Sequence, residues 1–490
     1  MLPKHALYQA ELRPDILTII ATPSPHPQGP PTPGTQKPHP LLNPTMKKLL
    51  GIAAAALIAG VMFALALPPR SFGFLGWIFL VPLLLTLRNT RFVTGFIAGI
   101  TAAMTAAVIS TTPLVAPNVI TTGDISWNYV GFGLYGVVLA LMLGFAAEQK
   151  SLTLGRAAIL ACLGVVMECI TFIKLPAHLA LTQYASTPML ALASITGIWG
   201  VSWLLWFSNF ALASESTQKY FRPAVGGVAL IALISSTIGW HSPQTPDRVV
   251  GAVQTDQFGS QSILPINESL IAQNPDLAVW PELSIAEHDI APIQSFAARP
   301  DGFPIVATLH TSHDPKPHNT AVYIDKSGAQ GNYHKRKPFA GEADQITPGT
   351  RPIVVQTLPL NVGLNICFDS CYPGVMRDTA NAGDPDLIAL PTLDPASPNG
   401  FIQAAHAAFT PFRAAELGIP IVRAEATAWS MIVDSRGRIT GKLPTGYEGT
   451  LARSIDSPQP RTIYRTLGDW FLWMCAGVLI ASIFHSKHPH

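Results

Sequence analysis

NVGLNICFDSCYPGVMRD, residues 361–378, opens as an alternating apolar run (Val362, Leu364, Ile366) and stops at Cys367, with a turn at Pro373 and Gly374. The alternation predicts a buried strand, and the stop predicts a thiol at its end. A strand-to-turn elbow presents the side chain at its apex, while the N–H groups of the following turn point at whatever that side chain attacks. Cys367 is therefore a candidate nucleophile. A cysteine taken alone is more often a small core hydrophobe, so the reading depends on what the rest of the chain brings to it.

Working outward, the composition predicts a membrane protein. Of 490 residues, 48% are hydrophobic and only 12% charged, where soluble domains carry about 25% charged residues. The net charge of +2 comes without a clustered basic patch, so no nucleic-acid partner is expected. Five cysteines, three of them in apolar runs, do not make a disulfide framework. No cofactor and no metal is expected. Residues 1–45 include PSPHPQGPPTPGTQKPHP, a Pro-rich leader that reads as disordered. Met46-Lys-Lys, followed at once by an apolar run, looks like a natural start, so the leader is a possible mis-called start.

Apolar segments near the roughly 20 residues that cross a bilayer lie at 49–67, 73–88, 92–112, 129–147, 155–173, 190–213 and 224–240, with an eighth at 467–485. One set of connections carries Lys47, Lys48, Arg88, Arg91, Lys150, Arg156, Lys219, Arg222 and Lys487; the other carries only Arg70 and Lys174. The basic side is expected to be cytoplasmic, which puts residues 246–460 outside the cytoplasm and both chain ends inside. Glu168 is the acidic residue within the spans, with Lys174 as a possible partner. The expected division is a leader (1–45), a seven-span bundle (46–245), an extracytoplasmic domain (246–460) and a final span with a short tail (461–490).

Within the polar region, β-branched runs at 248–254, 276–280, 304–309, 319–325, 352–357, 361–366, 386–391, 420–424 and 429–433 alternate with turns. Helical patterns fall at 374–383 and 401–418, so the region predicts an α/β or α+β layered domain. Two further stretches offer chemistry. Asp276-Leu-Ala-Val-Trp-Pro-Glu282 is a strand ending in a carboxylate. Tyr333-His-Lys-Arg-Lys337 is a basic cluster running into Pro338-Phe-Ala-Gly-Glu342. Each alone reads as ordinary surface charge.

Taken together, Trp-Pro-Glu, Tyr-x-Lys and Ile-Cys-Phe-Asp-x-x-Tyr-Pro-x-x-x-Arg resemble the motifs of the carbon–nitrogen hydrolase (nitrilase) superfamily. The resemblance implies an αββα sandwich. It also implies a triad of Glu282 as general base, Lys335 as oxyanion-stabilising cation and Cys367 as nucleophile. The Phe368 N–H would be a second oxyanion donor, with Glu342 orienting the lysine and Asp369 in support. Arg377 matches the family arginine, while Val375 replaces a usual glutamate. Lys335 to Glu342 is one residue shorter than the family spacing, which keeps Lys337 open as the cation, and Cys371 is the rival sulfur.

Seven apolar segments before the domain and one after it resemble the membrane-embedded acyltransferase branch of the superfamily. Leu67-Pro-Pro, the segment from Gln183-Tyr184 through Thr196–Ser202 to Asn209, and Thr462–Trp470 support that likeness. The branch implies transfer of a fatty acyl chain from a phospholipid, through a cysteine thioester, to the N-terminal amine of diacylglyceryl apolipoproteins at the bacterial inner membrane. The loop PTLDPASPNG (391–400) and Arg423-Ala-Glu-Ala-Thr-Ala428 depart from the family pattern, so substrate-binding residues stay unassigned. The alternatives are a membrane-tethered amidase or nitrilase acting on a small amide, and a non-catalytic lipoprotein-binding relative.

Overall fold

The short β-branched runs pair into two six-stranded sheets. In the computed structural model, which describes residues 43–111, 122–149, 151–171, 178–215, 248–312, 314–394 and 400–487, the first sheet has the order β12-β1-β2-β3-β4-β5. Its strands are β1 (Arg248–Gln254), β2 (Leu277–Val279), β3 (Ile305–Thr311), β4 (His318–Asp325), β5 (Gly328–His334) and β12 (Gly449–Ile455). The second has the order β11-β10-β9-β8-β7-β6. It is built from β6 (Ile353–Val355), β7 (Val362–Leu364), β8 (Leu387–Thr392), β9 (Ile421–Glu425), β10 (Met431–Val433) and β11 (Ile439–Lys442).

At the centre of each sheet three strands run parallel, β1-β2-β3 in one and β7-β8-β9 in the other, with antiparallel strands outside them. The sheets pack face to face, β2 and β3 on β8 and β1 on β9, with helix Pro373–Gly383 against β6 and β7 and helix Ile290–Ala297 against β4 and β5. Strands covered on both faces are mainly apolar, and β7 and β8 are buried at every position. Removing a Leu or Ile such as Leu387, Ile388 or Leu390 from water contributes about 1.5–3 kcal/mol each.

All nine expected runs contain a strand. Three more were not expected, β5, β11 and β12. The expected helix at 401–418 is two helices, Phe401–Ala407 and Phe409–Leu417.

The apolar half is helical, but its helices are less regular than uniform apolarity suggests. Among the described residues two helices, Pro44–Ala66 and Phe92–Ser110, are long and apolar enough to cross a membrane. The expected span at 190–213 is a bent pair, Thr187–Thr196 and Ile198–Leu212, turned by 118° and counting as a third span if taken as one. Gly73–Leu87, Tyr135–Glu148 and Trp470–Phe484 are shorter apolar helices. Among the described residues, then, two or three spans are found by length and composition, and the eight expected spans are not confirmed. The leader through residue 42, the segment 224–240, Lys174 and residues 395–399 lie outside the described residues.

Helices Phe92–Thr111 and Thr122–Glu148 approach closely at Gly99, where a Cβ would sit 2.5 Å from Ala140 Cα. Small residues at crossings of this kind are how helices pack where lipid removes the hydrophobic drive between them. Outward-facing residues stay apolar: on helix Phe92–Thr111 Val93 is 62% exposed and Ile97 59%, and on helix Trp470–Lys487 Trp473 is 72% exposed, a surface suited to lipid. Glu168 is fully buried. Its carboxylate accepts from Leu179 N at 3.1 Å and Trp206 Nε1 at 2.8 Å, and lies 3.3 Å from His178 Nδ1. These bonds hold three helical segments together.

Candidate active site

Parallel strands direct their C-terminal ends to one edge, where loops and crevices form. β2 is followed by Trp280-Pro281, and Pro281, lacking an N–H, cannot continue the ladder. Glu282 follows, 4% exposed. β5 ends at His334 and delivers Lys335, 2% exposed. β7 leads into a turn at Cys367–Cys371. Cys367 carries φ +47°, a left-handed conformation that costs a non-glycine residue on the order of 1 kcal/mol and is found chiefly at functional sites. Leu283, next to Glu282, is also left-handed at φ +53°.

Lys335 Nζ donates to Glu282 Oε1 at 2.8 Å and to Glu342 Oε2 at 2.6 Å. Asn319 Nδ2, from β4, donates to both carboxylates, at 2.7 Å to Glu282 and 3.1 Å to Glu342. The second oxygen of Glu282 accepts from Leu393 N at 2.9 Å. The Cys367 thiol faces Leu393 O at 3.9 Å. Burial alone would push the Lys335 ammonium down, but Glu282, the Cys367 sulfur and Glu342 hold it well above the usual lysine range. Burial raises the Cys367 thiol well above an ordinary cysteine; Glu282 adds to that and Lys335 opposes it. The resting sulfur is thus a thiol with a base and a fixed cation beside it, which suits deprotonation at the moment of attack.

Asp369 locks the turn from beneath. Its Oδ2 accepts from Tyr333 OH at 2.7 Å and Ile366 N at 3.0 Å, and its Oδ1 from Lys337 N at 2.8 Å and Arg336 N at 3.2 Å. Burial raises its carboxyl to about 6 against these donors. Phe368 is the second residue of the turn, so its N–H is among the donors that a helical start leaves without an internal acceptor.

The structure brings together Glu282, Lys335, Glu342, Cys367 and Asp369. The two rival side chains have their main interactions elsewhere. Lys337 Nζ lies 4.9 Å over the Tyr372 ring. Cys371, at the far end of the turn and 1% exposed, is acted on most, after burial, by Asp394, Arg413 and Arg423. Arg377 donates to the carbonyls of Arg465 and Thr466, at 2.7 Å each, and ties the helix after the turn to the short helix Ile463–Leu467 that precedes the last one.

Two groups were missed by the sequence reading. Asn319 is the second residue of β4, an otherwise ordinary strand with no motif around it. His406, on helix Phe401–Ala407, pairs Nδ1 with Asp394 Oδ1 at 2.5 Å, and Arg423 Nη2 holds Asp394 Oδ2 at 2.5 Å. The donor atoms of Cys367, Asp394 and His406 lie within 4.8 Å of one another, a sulfur, oxygen and nitrogen set that a soft divalent ion could use. The Arg423 guanidinium already neutralises Asp394, so a cation there would compete with a buried ion pair.

Comparison with known proteins follows the same two halves. Residues 262–464 match the family model described as carbon-nitrogen hydrolase, and residues 59–211 match the apolipoprotein N-acyltransferase N-terminal domain. The chain is 27% identical to the apolipoprotein N-acyltransferase of Geobacter metallireducens, over 89% of this chain and 96% of that one. It is 24% identical to the enzyme of that name from Photobacterium profundum, over 59% of this chain and 64% of the relative. Among solved structures, an amidase from Nesterenkonia sp. aligns at 21% identity and a TM-score of 0.37, over 48% of this chain and 95% of that one. With both models matched in tandem and a relative aligned over nearly its full length, the chain belongs to the apolipoprotein N-acyltransferase family of the carbon–nitrogen hydrolase superfamily.

Proposed function

We propose that the protein transfers a fatty acyl chain from a phospholipid, through a thioester on Cys367, to the N-terminal amine of diacylglyceryl-cysteine lipoproteins. The observation that carries this reading is the buried array of Glu282, Lys335 and Glu342 beside Cys367, in a chain whose other half is apolar helix with apolar outer faces. In the first half-reaction Glu282 takes the thiol proton as the sulfur adds to the ester carbonyl. Lys335 Nζ and the Phe368 N–H stabilise the oxyanion. Collapse breaks the ester bond, and the leaving glycerol oxygen takes the proton back from Glu282 as lysophospholipid departs. In the second, the lipoprotein α-amine adds to the thioester and loses its proton to Glu282. The amide forms and the thiol is restored.

A bilayer setting supports this reading, since drawing an acyl chain into water costs about 0.8 kcal/mol per CH₂. The proposed topology has about eight spans, seven before the catalytic domain and one after it. Residues 246–460 lie on the extracytoplasmic side of the bacterial inner membrane, following the Lys/Arg asymmetry of the connections.

Purified enzyme in phospholipid micelles with a diacylglyceryl peptide should form N-acyl peptide and lysophospholipid in equal amounts, with little free fatty acid. Mainly free fatty acid would assign the chain to membrane-bound hydrolysis instead.

A further inference from the structure

The Cys367 carbonyl is gripped by side chains that do not belong to the triad. Ser370 Oγ donates to it at 2.9 Å, and His406 Nε2 lies 3.1 Å from the same oxygen and 3.0 Å from Ser370 Oγ. His406 is held by Asp394, and Asp394 by Arg423, both contacts at 2.5 Å. All of these groups are buried: His406 is 8% exposed, Asp394 5%, and Ser370 and Arg423 0%. Three strands meet in this chain, because Asp394 follows β8, Arg423 lies on β9 and Cys367 follows β7.

A carbonyl and the N–H that follows it belong to one rigid plane and point in opposite directions when the peptide is trans. Fixing the Cys367 C=O therefore fixes the direction of the Phe368 N–H. The control matters here because Cys367 is left-handed at φ +47°, a conformation that persists in a non-glycine residue only where its surroundings hold it.

We infer that His406, clamped by Asp394 and Arg423, is a positioning residue that orients the Cys367–Phe368 peptide plane and so aims the Phe368 N–H at the developing oxyanion. It acts through the backbone and touches neither substrate nor sulfur. The inference rests on Cys367 being the nucleophile but not on the identity of the acyl donor or acceptor. Asp394 adds a second tie: its neighbour Leu393 donates to Glu282 Oε2 at 2.9 Å, so the loop that holds the histidine also holds the base.

The test separates two reactions of one sulfur. Acylation by a p-nitrophenyl ester passes through an oxyanion, whereas alkylation by iodoacetamide is a displacement at carbon with none. In His406→Leu, acylation of Cys367 should fall about 100-fold or more, the scale of losing one oxyanion donor, while its alkylation rate stays within about threefold and KM for the ester changes little. His406→Gln retains a donor for the carbonyl and should stay within about tenfold of wild type in acylation. Ser370→Ala removes the other donor. It should lose about tenfold in acylation with alkylation unchanged, and it decides the matter if His406→Leu does not fold. Acylation at the wild-type rate in His406→Leu, or acylation and alkylation falling by the same factor, would overturn the inference, as would an unaffected Ser370→Ala. Wild-type enzyme that reacts with the ester but never with phospholipid would count against the proposed acyl donor and leave this test intact.

Discussion

Lys335→Met is the substitution with the most to say about the site. The Lys335 side chain is buried and its ammonium sits between the buried Glu282 and the partly exposed Glu342, at 2.8 and 2.6 Å. Methionine fills much of the same volume but leaves two carboxylates joined by Asn319 with no cation between them. Breaking a buried pair from one side costs about 3–5 kcal/mol, which for a domain of this size lowers the melting temperature by roughly 6–20 °C. The pH dependence carries the signature. In the wild type the raised Lys335 pKa contributes stability that is fully present below the unfolded lysine value and is lost only as pH rises through the still higher folded value. Between pH 5 and 9 that contribution is flat. In the variant the facing carboxylates should instead titrate above their unfolded values, so their protonated forms persist in the folded state at low pH. The deficit should be smallest near the unfolded glutamate value of about 4.3 and grow as pH rises above it. Acyl-enzyme formation should fall about 100–1,000-fold, as for other lost oxyanion cations and donors. Thermal unfolding in detergent across this pH range, with acylation measured in parallel, is the assay. A deficit that does not vary with pH, or acylation within tenfold of wild type, would refute the reasoning.

Further outcomes follow from other parts of the chain. Asp369, raised to about 6 chiefly by burial, contributes stability that is present below the unfolded aspartate value and is lost as pH rises through about 6. Asp369→Asn should remove that slope and, by setting an amide N–H₂ against the donors around it, cost about 1–3 kcal/mol at neutral pH. Gly197 has φ +69°, and a Cβ there would sit 2.5 Å from Tyr464 Cε2. Gly197→Ala should destabilise by at least about 1–2 kcal/mol and loosen the bond from Ile198 N to Glu416 Oε1, now 2.7 Å, which limited proteolysis of residues 187–212 would register. A reporter fused after residue 245 should read as extracytoplasmic and one at the C-terminus as cytoplasmic; the reverse would overturn the proposed orientation.

What could be read from the residues alone followed local pattern. The alternation of Val362, Leu364 and Ile366 placed Cys367 at a strand end, and Pro281 did the same for Glu282, because both signals lie within a few residues of the group they position. β5 was missed because Gly328-Ala-Gln-Gly-Asn has the composition of a turn. It pairs on one side only, with β4, and owes its place to that neighbour rather than to its own propensity. Asn319, His406 and Asp394 were missed for a different reason. Each has meaning only in three dimensions, Asn319 lying 37 residues from Glu282 and His406 lying 39 from Cys367. The break at Gly197 was hidden because an apolar run reports burial or lipid contact and says nothing about whether the helix axis is continuous.

The central claim is that the acyl group passes through Cys367, and intact-mass analysis of enzyme incubated with phospholipid in the absence of acceptor tests it directly. The expected result is a single acyl adduct, removed by hydroxylamine, absent from Cys367→Ser, retained in Cys371→Ala, and discharged when diacylglyceryl peptide is added. An adduct that survives Cys367→Ser, or turnover to N-acyl peptide with no adduct at any time, would contradict the account.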